Sequence, residues 1–67
     1  MIEIAVNGDP WQVHPAATVA DLLSKIKLSP KACVVEKNGV IINRKHYNEE
    51  TVQPGDRIEI IRMMGGG

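Results

Sequence analysis

Ile2, Ile4 and Val6 alternate with Glu3 and Ala5, the period of a half-buried strand. Asn7-Gly8 follows, a hairpin signal because both residues tolerate positive φ. Trp11-Gln12-Val13-His14 reads as the returning strand, with Trp11 and Val13 on one face; Asp9-Pro10 is expected to lengthen or bulge the turn. Pro15 has no N–H to give to a ladder and should end the hairpin.

The period then changes. Val19, Leu22, Leu23 and Ile26 lie at i, i+3, i+4 and i+7, one face of a helix, and Ala20, Asp21, Ser24, Lys25 and Lys27 fall on the others. Thr18 suits the N-cap, and Asp21 three positions later makes a capping box with the shorter acid. Ser29-Pro30 is expected to stop the helix, since a residue before proline disfavours the α region.

Three strands are read from the rest. Ala32–Lys37 is a mostly apolar run, which suggests a central strand covered on both faces, although alternation does not say which side is inward. Asn38-Gly39 is a second turn, Val40-Ile41-Ile42 a short strand, and 43–50 a polar irregular stretch. Pro54-Gly55 turns the chain into a last strand, Arg57–Met63, with Ile58 and Ile60 on one face and Glu59, Ile61 and Met63 on the other. One amphipathic helix can cover one face of one mixed sheet, so the expected class is α+β in two layers. Val19, Leu22, Leu23 and Ile26 should pack on Ile2, Ile4, Val6, Ile58 and Ile60.

Composition narrows the function. A chain of 67 residues with 43% hydrophobic positions supports one small domain, and its 3% aromatic content makes the core aliphatic. Eight basic residues balance eight acidic ones, so neither a nucleic-acid partner nor a membrane surface is expected. Cys33 is the single cysteine, and no apolar stretch approaches the ~20 residues of a bilayer span. A reducing, cytoplasmic setting is expected. So small a core leaves little room for a deep dry pocket, which argues against a self-sufficient enzyme.

No internal catalytic group stands out. His14 and His46 share no ligand spacing with Cys33, so no metal site is expected, and Cys33 within a strand reads as a small buried hydrophobe. Arg44-Lys45 is a solvated pair, not a patch, and no phosphate-cradling glycine loop is present. The run Gly65-Gly66-Gly67 is different. Glycine has no Cβ, so such a tail can thread a narrow channel. Three to four extended residues reach roughly 10–14 Å, enough to present an end inside a partner's active site. The reactive group would be the Gly67 α-carboxylate, an anion at neutral pH able to attack an ATP phosphorus.

These features together carry a resemblance. The stretches Thr18–Leu23, Val34–Ile42, Pro54–Ile61 and Gly65–Gly67 resemble those of the ThiS family, ubiquitin-like sulfur carriers of the β-grasp fold, over essentially the whole chain. Asn43 stands where that family often has proline. The resemblance implies a β-grasp domain over 1–63, a flexible glycine tail over 64–67, and a carrier that binds no cofactor and is a co-substrate of other enzymes. A ThiF-like enzyme would use MgATP to adenylate Gly67. Sulfur from a persulfide donor such as a cysteine desulfurase would replace AMP, and a ThiG-like thiazole synthase would take that sulfur from the thiocarboxylate. Gly65 and Gly66 would thread the partner's site, and Ile61, Met63 and Met64 would form the partner surface. Three other readings share parts of this pattern: a MoaD-like carrier subunit of molybdopterin synthase, a protein modifier joined to lysine through Gly67, and an interaction domain with an idle tail.

Overall fold

β1 (Ile2–Val6) and β2 (Asp9–Val13) form the antiparallel hairpin. The computed structural model describes residues 1–63. Asp9 and Pro10 do not lengthen the turn as expected; they pair with Val6 and Ala5, leaving a two-residue loop. Asn7 and Gly8 both have positive φ, 50° and 87°, which matches the right-handed twist of the flanking strands. Pro10 is tolerated because β2 is an edge strand. Its partner Ala5 sends its N–H the other way, to Asp56 O at 2.9 Å, so the donor proline lacks would have faced off the sheet.

α1 spans Val19–Lys25, with the expected Thr18–Asp21 capping box formed in both directions. Its C-terminus lies short of the expected Ser29-Pro30 stop. Lys27 adopts φ 56°, and the Lys27 and Leu28 N–H groups donate to Ser24 O (3.1 Å) and Leu23 O (3.0 Å). This double closure satisfies the last carbonyls and reverses the chain, a role glycine usually fills. Ser29-Pro30 instead opens a 3-10 turn, Pro30–Ala32, capped by the Ser29 hydroxyl.

β3 (Cys33–Lys37), β4 (Val40–Ile41) and β5 (Arg57–Arg62) complete a five-stranded sheet in the order β2-β1-β5-β3-β4. β1 and β5 run parallel and the other pairs antiparallel, the mixed sheet expected. Cys33 and Val35 face the helix and are fully buried, which settles the face of β3. They join Ile4, Val6, Val13, Val19, Leu22, Leu23, Ile58 and Ile60 in one core; Ile2 and Ile26, expected there, are only partly buried at its margin.

The polar stretch 43–50 has a structural role that its composition concealed. Asn43 caps a 3-10 turn, Arg44–His46, by accepting from Lys45 N, and Tyr47 and Val52 then insert into the core. The same segment closes the start of α1: Val19 N donates to Glu50 O and Ala20 N to Tyr47 O, both at 2.9 Å. With the Thr18 hydroxyl on Asp21 N, the first-turn donors of the helix are satisfied.

Candidate functional site

β5 leads to the residues in which the reactive end was expected, and it is the most constrained strand of the sheet. It lies between β1 and β3. At its start, Asn38 Oδ1 accepts from Arg57 N (2.9 Å) while Asn38 Nδ2 donates to Asp56 Oδ1 (3.0 Å). Further along, Asn7 Oδ1 accepts from Ile60 N (2.7 Å) and Asn7 Nδ2 donates to Ile60 O (3.2 Å). Both asparagines come from Asn-Gly turns and hold positive φ, 50° and 53°. Sequence reading assigned them to turn chemistry alone. Beyond β5, Met63 N donates to Ala32 O (2.9 Å), which keeps the chain in line as far as the described residues reach.

Of the expected partner-surface residues, Ile61 is 46% exposed on the sheet face away from α1, and Met63, just past β5, is 41% exposed. Ile61 stands opposite half-buried Val34 of β3. Ile41 of β4, 66% exposed, shares that face through its pairing with Glu36. Sequence analysis missed Val34 and Ile41 because strand register was needed to place them beside Ile61. Met64, Gly65, Gly66 and Gly67 lie outside the described residues.

Several other polar and titratable side chains have structural partners. A cavity of about 410 Å³ between β2 and α1 is lined by Val13, Ala17 and Leu22, with His14, Asp21 and Lys25 beside them. Asp21 is engaged at the helix cap, His14 Nδ1 accepts from Ala16 N (3.1 Å), and Lys25 Nζ sits 5.2 Å from the Trp11 ring centre. Cys33 Sγ lies 3.6 Å from Ser29 O, and burial pushes its thiol pKa up, against the opposing pull of Arg44 and Arg62. A thiol so placed is poorly nucleophilic. Among the described residues no three His, Cys, Asp or Glu side chains gather as a metal set. No described helix is long and apolar enough to cross a membrane.

Residues 2–67 match the ThiS family. The chain belongs to the ThiS family. It is 40% identical over 67 residues to the sulfur carrier protein ThiS of Bacillus subtilis strain 168, covering 100% of both chains. The crystal structure of the thiamine biosynthesis protein ThiS from Geobacter metallireducens superimposes with a TM-score of 0.81 at 35% identity, over 98% of this chain and 100% of that one. The fold is therefore the β-grasp of that family. The chain is also 30% identical over 66 residues to a thiazole synthase of Magnetococcus marinus, where it spans 20% of that protein's length.

Proposed function

We propose that this protein is a sulfur carrier of thiamin biosynthesis, a co-substrate acting through its Gly67 carboxylate. The observation that carries the reading is the full-length match to a ThiS sulfur carrier, reaching through the terminal glycines.

In this reading residues 1–63 are the recognition domain, 64–67 the tail, and Gly65, Gly66 and Gly67 the part of it that enters the partner. A ThiF-like enzyme joins the Gly67 carboxylate to the α-phosphorus of MgATP and releases pyrophosphate. A persulfide sulfur from a donor such as a cysteine desulfurase then displaces AMP. The acyl C–O bond to phosphate breaks, a C–S bond forms, and two electrons from an external thiol or a second cysteine release the thiocarboxylate. A ThiG-like synthase takes the sulfur and returns the carboxylate. The match between this chain and a fifth of the length of two proteins named thiazole synthase supports that last partner, because it is what a carrier joined to its synthase would give. The free thiol of Cys33 fits a reducing, cytoplasmic setting.

Ile61, Met63 and Met64 form the partner surface in this reading. Exposed apolar side chains next to a reactive tail fit docking, and methionine adapts to more than one partner. The test is intact mass after incubation with a ThiF-like enzyme, ATP and a sulfur donor. Exchange of one oxygen for one sulfur supports the reading; an unchanged mass under conditions that convert the Bacillus subtilis relative rejects it.

A further inference from the structure

The face that carries Ile61 also holds an arrangement that the fold itself does not favour. Glu36 of β3 and Glu59 of β5 are directly opposite in the antiparallel ladder. Cross-strand partners point to the same side of the sheet with Cβ atoms roughly 4.5–5.5 Å apart, where like charges repel. Neither residue forms an ion pair among the described residues; Lys37 and Glu50, on the other side of the sheet, form the one salt bridge found there. Arg57 shares the outer face with Glu59 two positions along β5, and it too makes no ion pair there.

The register gives this face a direction. One row across the sheet reads Glu59, Glu36, Ile41; the next row toward the C-terminal end of β5 reads Ile61, Val34; Met63 follows beside Ala32. Rows on one face are two residues apart, roughly 6.5–7 Å. Negative charge therefore lies behind the apolar patch, and the described chain reaches Met63 in front of it. An apolar patch alone can be met in several rotations, only one of which points the tail into an active site. A charge displaced to one side breaks that degeneracy.

We propose that Glu36 and Glu59 together receive a cationic side chain of the adenylating partner, an arginine for preference, and so fix the direction in which the carrier docks. A planar guanidinium offers donors in a fixed fork and can bond two carboxylates at once. Its charge also offsets the repulsion between them, so the pair strains the free carrier and is relieved in the complex. This inference rests on the carrier reading above.

The experiment compares wild type with the Glu36→Gln/Glu59→Gln double variant, by stopped-flow association with a ThiF-like enzyme at low and high salt and by urea unfolding. Removing the repulsion should raise the folded-to-unfolded ratio by about 1.5- to 5-fold. Association should nevertheless slow by about tenfold at low salt, with the difference closing at high salt. Ile61→Ala should instead weaken binding at both salt concentrations. A double variant that associates like wild type, with the same salt dependence, overturns the inference while wild-type thiocarboxylate formation keeps the carrier reading intact. If wild type neither binds nor is converted, both fall together.

Discussion

The side-chain amide of Asn7 pairs with Ile60 as a peptide group would, accepting from its N–H at 2.7 Å and donating to its C=O at 3.2 Å. The backbone ladder between β1 and β5 covers only Ala5↔Arg57 and Val6↔Ile58, because the chain turns away at Asn7. The amide therefore continues the pairing where the backbone cannot. It holds the strand that carries Ile61, the residue proposed for docking. Asn7→Gly keeps the positive φ and removes only the amide, leaving the part-buried Ile60 N–H and C=O without those partners. The expected loss is about 1–3 kcal/mol by urea unfolding. Asn7→Asp preserves the acceptor but turns a carboxylate oxygen on Ile60 O, and should lose at least as much. Wild-type stability in both variants would show the clamp to be idle.

Lys27 holds φ 56° at the end of α1, a conformation in which a Cβ crowds the following carbonyl. Lys27→Gly should therefore stabilise the protein by about 1 kcal/mol, less the backbone entropy that glycine gains when unfolded. The check is a rise in the thermal midpoint. A clear fall would mean that the lysine side chain makes a compensating contact.

The helix face, the hairpin and β5 were legible in the sequence because each carries a period of its own. Val19, Leu22 and Leu23 are inward as the 3.6 pattern requires, and Ile58 and Ile60 as the alternation requires. What escaped was set by tertiary partners. Tyr47 and Val52 sit in a segment with no period, placed by backbone bonds to the start of α1 that no local pattern encodes. The helix end was misplaced because a lysine fills the position where glycine would have signalled it. At the candidate site, exposure of Ile61 followed from alternation, but the facing pair of Glu36 and Glu59 needed the register of two strands separated by the 38–56 connection.

Alkaline pH should expose the buried thiol and phenol. Burial raises the pKa of Cys33 above its ordinary 9.0 and that of Tyr47 above its ordinary 10.0; a nearby Cys33 thiolate adds to the rise at Tyr47, while its bond to the Val35 backbone and Arg44 oppose it. The unfolded chain thus loses these protons first, so the native state binds more protons and stability falls as pH rises. The contribution is intact below the ordinary values and fades above them, through the raised ones. Tyr47→Phe should be less stable than wild type near neutrality, having lost the hydroxyl's bond, yet decline less steeply above pH 10.0. Parallel slopes of urea midpoint against pH would count against the assignment.

Ile61→Asp tests the proposed docking face separately from the fold. The side chain is 46% exposed on the face away from α1, so the variant should fold with a stability change of about 1 kcal/mol or less. Binding to the adenylating enzyme should weaken by at least about tenfold, since a charge in the apolar row must be desolvated on docking. Titration calorimetry on the folded variant decides it: undiminished affinity removes Ile61 from the interface.

The chemistry at Gly67 gives the sharpest prediction. In the proposed carrier role, adenylation would need a free α-carboxylate on an unbranched residue, brought against the ATP phosphorus at the end of a narrow channel. A residue added after Gly67 displaces the carboxylate by one peptide unit and fills the channel with backbone; misplacement by only ~1 Å can cost on the order of 10²-fold in rate. Gly66→Val should fail as well, because a β-branched side chain neither fits the channel nor tolerates the φ values open to glycine. The described core is built entirely from residues 1–63, so both variants should unfold like wild type. Cys33→Ser, by contrast, should accept sulfur normally once folded, since the buried thiol takes no part. Intact mass separates the cases, by the adenylate and then by the exchange of one oxygen for one sulfur. An extended chain that acquires sulfur at the normal rate, with its extension still attached, would refute attack through the Gly67 carboxylate.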